Sequence, residues 1–257
     1  MMNKVKEKLL KGERPIGTFE ETGSQYVVEA LGYTGLDYII IDNEHAPTDI
    51  ETSSISVKNC ELNGMTAFGR AREISRSAVL KLLDVGVQGL IVPYVKTKEE
   101  CEKLVGWSKY PPIGERGFST SRKDGFGYKL GLSVADEMKY YNDEVLLIPQ
   151  CETKDAFDHI EEIAAVKGLD GIFIGPYDLS ISLGVPGDFD SDVFVNAVRR
   201  IVKAVHDQGK FVIMFAGNND RVKQAYDLGI DSIAYSLDPA VIIEAYKKIV
   251  DDVKKIK

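Results

Sequence analysis

Tryptophan occurs once in this 257-residue chain, histidine and cysteine three times each, and 32 Lys and Arg face 40 Asp and Glu. Each scarcity removes a class of function. The net charge of −8 argues against a nucleic-acid surface, because phosphate backbones are held by clustered Lys and Arg. An acidic chain that handles an anionic substrate needs local positive charge, from an arginine or a metal. Cys60, Cys101 and Cys151 cannot all pair and lack metal-ligand spacing, so they read as reduced packing residues. No apolar run approaches the roughly 20 residues that cross a bilayer, and the start MMNKVKEKLLKGERP has no signal-peptide core. The expected setting is the cytoplasm. A Gly-rich phosphate turn is also missing: GTFEETGS, after the first candidate strand, is not G-x-G-x-x-G, which disfavours an open doubly wound sheet.

What is present is a regular alternation. Apolar, β-rich runs fall at Pro15–Phe19, Leu36–Ile41, Thr66–Arg70, Gly89–Pro93, Val145–Cys151, Gly171–Ile174, Phe211–Phe215 and Ser232–Tyr235. Amphipathic helical patterns lie between them, at Gln25–Leu31, Asp49–Leu62, Arg76–Val85, Lys98–Ser108, Lys154–Val166, Asp192–Gln208, Asp220–Leu228 and Pro239–Lys257. Several open at a capping residue, among them Thr48, Ser75, Thr97, Thr153, Ser191 and Asp238, and several close at glycine. Eight strands each followed by a helix predict a single-domain (β/α)₈ TIM barrel over residues 1–257, with its active site at the carboxyl ends of the strands. One segment breaks the rhythm. PPIGERGFSTSRKDGFG, at about 110–130 between strands four and five, is a candidate substrate loop on the catalytic side, or else a mobile surface loop.

Charged and polar residues collect at the predicted strand ends: Glu20 and Glu21, then Asp42, Glu44 and His45, Arg70, Gln150 and Glu152, and Asp178. Glu152 and Asp178 end consecutive apolar runs, with Gly175 and Pro176 turning the chain just before the second. Two carboxylates suffice for Mg²⁺, which keeps several waters; they could equally cap helices or face water. His45 stands apart from His159 and His206, which sit in helical patterns, because Asp42 lies close before it in a turn and could fix one imidazole nitrogen. Arg70 offers a fixed charge for a carboxylate or oxyanion. Asp84 occupies the last turn of a helix, where the macrodipole disfavours an anion by a few tenths of a kcal/mol, and so hints at a partner elsewhere.

In order along the chain, IIIDNEHAP (39–47), Arg70, LLDVGVQGLIVP (82–93), YPPIGERG (110–117), PQCET (149–153) and GIFIGPYDLS (171–180) resemble the HpcH/HpaI aldolase family, the metal-dependent class II pyruvate aldolases acting on 2-keto-3-deoxy sugar acids. The resemblance covers nearly the whole chain. It implies a barrel that is often hexameric with an exchanged C-terminal helix, and a Mg²⁺, Mn²⁺ or Co²⁺ site. Carried over residue by residue, the metal ligands fall on Glu152 and Asp178, the base on His45 paired with Asp42, and the enolate-stabilising arginine on Arg70. Asp84 matches an acid contributed by an adjacent subunit. Gln150, Glu44 and the backbone N–H groups of Tyr177 and Asp178 fall where the family supports the ligands or binds the substrate carboxylate. The implied reaction is reversible retro-aldol cleavage of a 4-hydroxy-2-keto acid to pyruvate and an aldehyde. The chain departs from the family pattern in GRAREIS around Arg70, at Asn43, at Tyr177 and in MFAGNND after strand seven. These departures bear on the aldehyde.

Two other readings remain. A citryl- or malyl-CoA-type lyase is a related barrel, but this chain has no basic patch suited to CoA phosphates. A non-catalytic binding barrel would have lost one of His45, Arg70, Glu152 or Asp178, and all four are present.

Overall fold

Alternation along the chain becomes closure in space. In the computed structural model, which describes residues 3–256, the eight strands are β1 (Ile16–Glu20), β2 (Tyr38–Asp42), β3 (Thr66–Arg70), β4 (Gly89–Val92), β5 (Leu146–Cys151), β6 (Gly171–Ile174), β7 (Phe211–Ala216) and β8 (Ser232–Leu237). Each pairs in parallel with the next, and β8 returns to β1 as a closed barrel. The predicted (β/α)₈ architecture is the one observed, with boundaries within about two residues. The helices are α1 (Lys4–Leu10), α2 (Gln25–Leu31), α3 (Ile50–Asn63), α4 (Arg76–Val85), α5 (Lys98–Ser108), α6 (Val134–Glu144), α7 (Lys154–Asp158), α8 (Ile160–Ala164), α9 (Pro176–Ser182), α10 (Asp192–His206), α11 (Asn219–Asp227) and α12 (Asp238–Lys255). Among the described residues no helix is long and apolar enough to cross a membrane.

Side-chain alternation in the strands builds two cores. Ile39, Ile41, Ala67, Leu90, Leu147 and Ile172 point outward against the helices, while Tyr38, Ile40, Phe68, Ile91, Ile148 and Phe173 fill the lumen. Tyr38 stacks on Phe68 with centroids 4.7 Å apart, and its hydroxyl hydrogen-bonds to Ser232 at 2.9 Å. The lumen is therefore packed, and a ligand can enter only at its rim. At the end where the strands begin, α1 acts as a plug: Val5 joins the lumen cluster, and the Asn3 amide donates to the carbonyls of Gln88 and Glu144. This helix is too short to be read from periodicity.

Caps follow the sequence with two exceptions. Ser75, Thr97, Thr153 and Ser191 each accept a backbone N–H at the start of their helices, and Thr97 with Glu100 forms a capping box. Asp49 rather than Thr48 caps α3, and Leu237 rather than Asp238 precedes α12. Asp238 is drawn away because its buried carboxylate accepts from the Glu21 N–H at 2.9 Å and the Thr22 hydroxyl at 2.6 Å, tying the exit of β1 to the start of α12. The helix expected over 154–166 is broken at His159 into α7 and α8.

Where β6 opposes Phe211, a side chain is excluded: a Cβ on Gly171 would stand 2.4 Å from the Phe211 carbonyl oxygen and 2.7 Å from its ring. Gly171→Ala is expected to destabilise the protein by about 1–3 kcal/mol through this overpacking, read as a lower urea midpoint at unchanged m-value. An unaltered midpoint would show that the barrel yields there.

Candidate active site

Asp42 and Arg70 are the last residues of β2 and β3 and stand directly opposite each other in the ladder. That register creates the central interaction of the mouth. The guanidinium donates from Nε to Asp42 Oδ1 at 2.9 Å and from Nη2 to Oδ2 at 2.6 Å, a two-pronged bond between a carboxylate with no exposed surface and an arginine that is 7% exposed. Its third nitrogen, Nη1, lies 3.2 Å from Glu44 Oε2, and its carbon sits 4.8 Å from the centroid of Phe19. Burial raises the Asp42 carboxyl, but the bonds and charge of Arg70, with the N–H groups of Glu44 and His45, outweigh it and hold the group below its ordinary value.

The second cluster lies across the mouth. Glu152 follows β5 directly, and its carboxylate accepts the backbone N–H of Tyr94 at 2.6 Å and the side-chain N–H of Gln150. Tyr94, after β4, takes a left-handed backbone (φ 59°). Gly175 is required by the same cluster: a Cβ there would come within 2.7 Å of Gln150 Nε2 and 2.9 Å of Glu152 Oε2. The Gly-Pro turn is thus a close approach between β5 and β6. Burial, added to the charges of Glu44 and Asp178, pushes the Glu152 carboxyl up to about 7 despite the Tyr94 hydrogen bond. Burial likewise raises Glu44, with Arg70 and His45 opposing. Asp178 is exposed in the first turn of α9, where it and Tyr177 have N–H groups without intrahelical acceptors.

Three expectations need correction. The Asp42 carboxylate does not hold the His45 imidazole: it belongs to Arg70, and it meets His45 only through that residue's backbone N–H at 3.4 Å. The ring is instead exposed, with Nε2 3.8 Å from Glu44 Oε2. Secondly, residues 110–130 do not border this mouth. A helix after β4 must run back to the end where strands begin, so whatever follows α5 emerges there. Lys109 accordingly bonds the Val145 carbonyl just before β5, and Arg122 bonds the Val85 carbonyl at the foot of α4. Thirdly, Asp84 has its partner within its own chain. Its Oδ1 accepts from Arg116 Nη2 at 2.8 Å, from a side chain 1% exposed whose Nε has no partner. Standing at the foot of α4, about 12 Å along the helix from the rim where it begins, Asp84 cannot reach this chain's own mouth.

Glu20 also leaves the site. Its carboxylate is buried beside Ser56 of α3 and rises to about 7, through burial and the charge of Asp238. Sequence reasoning missed Tyr94 and Phe19, whose roles rest on a backbone N–H and a ring face that no residue pattern announces.

The donor set suits a hard cation. Glu152, Glu44 and Asp178 share one mouth with a single arginine already paired to Asp42, and buried Gln150 Oε1 has no hydrogen-bond partner. Among the described residues no three His, Cys, Asp or Glu side chains converge as a ready-made cage; Mg²⁺-type sites need only one or two carboxylates.

A sequence profile described as HpcH/HpaI aldolase/citrate lyase matches residues 16–245. The chain is 32% identical, over 247 residues, to 2-keto-3-deoxy-L-rhamnonate aldolase of Escherichia coli K12, covering 95% of this chain and 91% of that protein. Among solved structures, an HpcH/HpaI aldolase from Desulfitobacterium hafniense superimposes with a TM-score of 0.91 at 28% identity, over 100% of this chain and 98% of the other. Citrate synthase SbnG superimposes at 0.87 with 26% identity, over 98% and 97%.

The buried pair makes a separable structural prediction. Arg70→Met leaves the Asp42 charge buried and unpaired, an expected loss of about 3–5 kcal/mol, and adding Asp42→Asn should restore much of it. Because Asp42 is depressed in the folded state, its contribution is present above the ordinary carboxylate pKa of about 4 and is lost as pH falls through the folded value. Urea unfolding of wild type and Asp42→Asn should therefore converge toward low pH, and a constant gap would place the Asp42 effect outside this ion pair.

Proposed function

The chain belongs to the HpcH/HpaI aldolase/citrate lyase family, and from that premise we propose that it is a divalent-metal-dependent pyruvate aldolase, cleaving a 4-hydroxy-2-keto acid reversibly into pyruvate and an aldehyde. The observation that carries this reading is the Asp42–Arg70 pair facing the Glu152, Glu44 and Asp178 carboxylates at the strand ends. Likeness to a 2-keto-3-deoxy-L-rhamnonate aldolase supports a deoxy sugar acid or a relative of one as the substrate class.

Glu152 and Asp178 would hold the cation, Mg²⁺, Mn²⁺ or Co²⁺, which when bound supplies Lewis-acid polarisation of the substrate's keto group. Arg70, fixed on one edge by Asp42 and with Nη1 beside Glu44, would place its charge against the enolate oxygen that forms as the C–C bond breaks. Gln150 steadies Glu152 through its side-chain N–H, and the first-turn N–H groups of Tyr177 and Asp178 would donate to the substrate carboxylate. His45 takes the proton of the 4-hydroxyl in cleavage and returns it in condensation, with Glu44 beside its ring. EDTA should abolish turnover and added metal restore it, while borohydride with pyruvate should attach no mass to a lysine. His45→Ala is expected to lose cleavage yet still exchange pyruvate methyl protons with deuterium, whereas Arg70→Ala loses both. Covalent trapping, or wild-type exchange in Arg70→Ala, would overturn this mechanism.

We also infer a homo-oligomer, a hexamer by family resemblance, in cytoplasmic solution. Two features support it. Val241, Ile242, Ile243, Tyr246, Ile249, Val250 and Val253 are exposed along α12, an apolar stripe without a partner in the single chain. Asp84, although paired with Arg116 of its own chain, keeps 32% of its side chain exposed at the end of the barrel opposite its own mouth, where only a neighbour's mouth could meet it. Inactive Asp84→Ala and Glu152→Ala proteins, unfolded and refolded together, should then regain part of the activity, since some interfaces unite the intact residues. If native mass spectrometry detects mixed assemblies that are no more active than either mutant, Asp84 has no catalytic place between subunits.

A further inference from the structure

Beside the mouth, between the start of α9, the end of β7 and the loop before α10, lies a cavity of about 220 Å³ walled by Tyr177, Phe189, Met214 and Phe215. We propose that it receives the tail of the aldehyde half of the substrate, and that this tail is apolar, an aryl ring or a branched alkyl group rather than a polyhydroxylated chain. The inference rests on the aldolase reading and narrows its substrate class from sugar acids to relatives of them that carry an apolar tail.

Continuity with the reaction centre comes from the rings. Arg70 lies over Phe19, Phe19 packs on Phe215 at 6.0 Å, Phe215 on Tyr177 at 6.0 Å, and Tyr177 edge-on to Phe189 at 5.1 Å. One aromatic track therefore runs from the guanidinium to the cavity. A tail attached to the reacting carbonyl would follow these ring faces out of a mouth whose other groups, Glu21, Glu44 and Asp178, are charged.

The polar inventory gives the selectivity. Arg221, the cation on the wall, has Nη1 and Nη2 bonded to Asp190 at 2.7 and 2.8 Å, and Nη1 also reaches Gln224 at 2.8 Å. The Asn218 side-chain oxygen caps α11 by accepting the Arg221 N–H at 3.0 Å. Among the side chains, the Tyr177 hydroxyl, the Asn218 amide N–H, the Arg221 Nε–H and one Arg221 Nη2 N–H remain. A chain of several hydroxyls entering here would lose water and find few replacements, whereas apolar carbon would cover ring faces that now meet solvent; Tyr177 is 53% exposed. The size agrees, since an apolar cavity of about 150 Å³ accommodates benzene.

The test uses the metal-loaded wild-type enzyme in the condensation direction, with pyruvate and either benzaldehyde, 2-methylpropanal or erythrose, and reads the ratio of kcat/KM between acceptors. The apolar aldehydes should be favoured at least tenfold, the scale on which an apolar pocket discriminates. Phe189→Ala and Tyr177→Ser should each cut that ratio several-fold; the second alters a half-exposed side chain, so it reports even if the first fails to fold. Using a ratio within one preparation cancels any change in handling pyruvate. Deuterium exchange into pyruvate without aldehyde separates the two readings. If the wild type exchanges but erythrose is used as well or better, or if both variants keep the wild-type ratio, the pocket assignment falls and the aldolase stands. If the wild type does not exchange, both fall.

Discussion

A guanidinium buried between a carboxylate and an aromatic ring sets the electrostatics of the whole mouth. Arg70 and Asp42 meet because they end neighbouring strands in register, so a feature of backbone pairing delivers a side-chain ion pair with no loop rearrangement. Burial raises Glu44 and Glu152 above their ordinary values although the charge of Arg70 opposes it in both, a pattern found where acids are gathered at a functional site. Hydrogen bonds from Tyr94 and Gln150 orient Glu152 but add no net charge.

The barrel has two ends, and chain direction decides what each carries. Segments that follow strands line the mouth; segments that follow helices line the opposite end, where α1 plugs the lumen and the Asp84–Arg116 pair sits beneath the 110–130 insertion. Arg116 is buried there with an unpartnered Nε, and α12 leaves an apolar stripe exposed on the outside of the single chain. The aromatic track above the lumen is a third element, continuous with the core but opening at the rim. It joins the packing of the barrel to the Arg70–Asp42 pair, since the ring that supports Arg70 is also the first ring of that track.

Local sequence determined what depends on neighbours along the chain. Eight apolar runs alternating with amphipathic helices specify a closed parallel barrel, because period-two and period-3.6 patterns are set within a few residues. The Ser75, Thr97, Thr153 and Ser191 caps were legible for the same reason, and so was the collection of Asp42, Arg70, Gln150 and Glu152 at strand ends. Tertiary structure alone decided who pairs with whom. Asp42 holds Arg70 rather than His45, Asp84 holds Arg116, Asp238 reaches across to β1 instead of capping its own helix, and residues 110–130 lie at the far end of the barrel. Those outcomes turn on strand register, on the direction in which α5 returns, and on competition among charges dozens of residues apart, none of which a local pattern encodes.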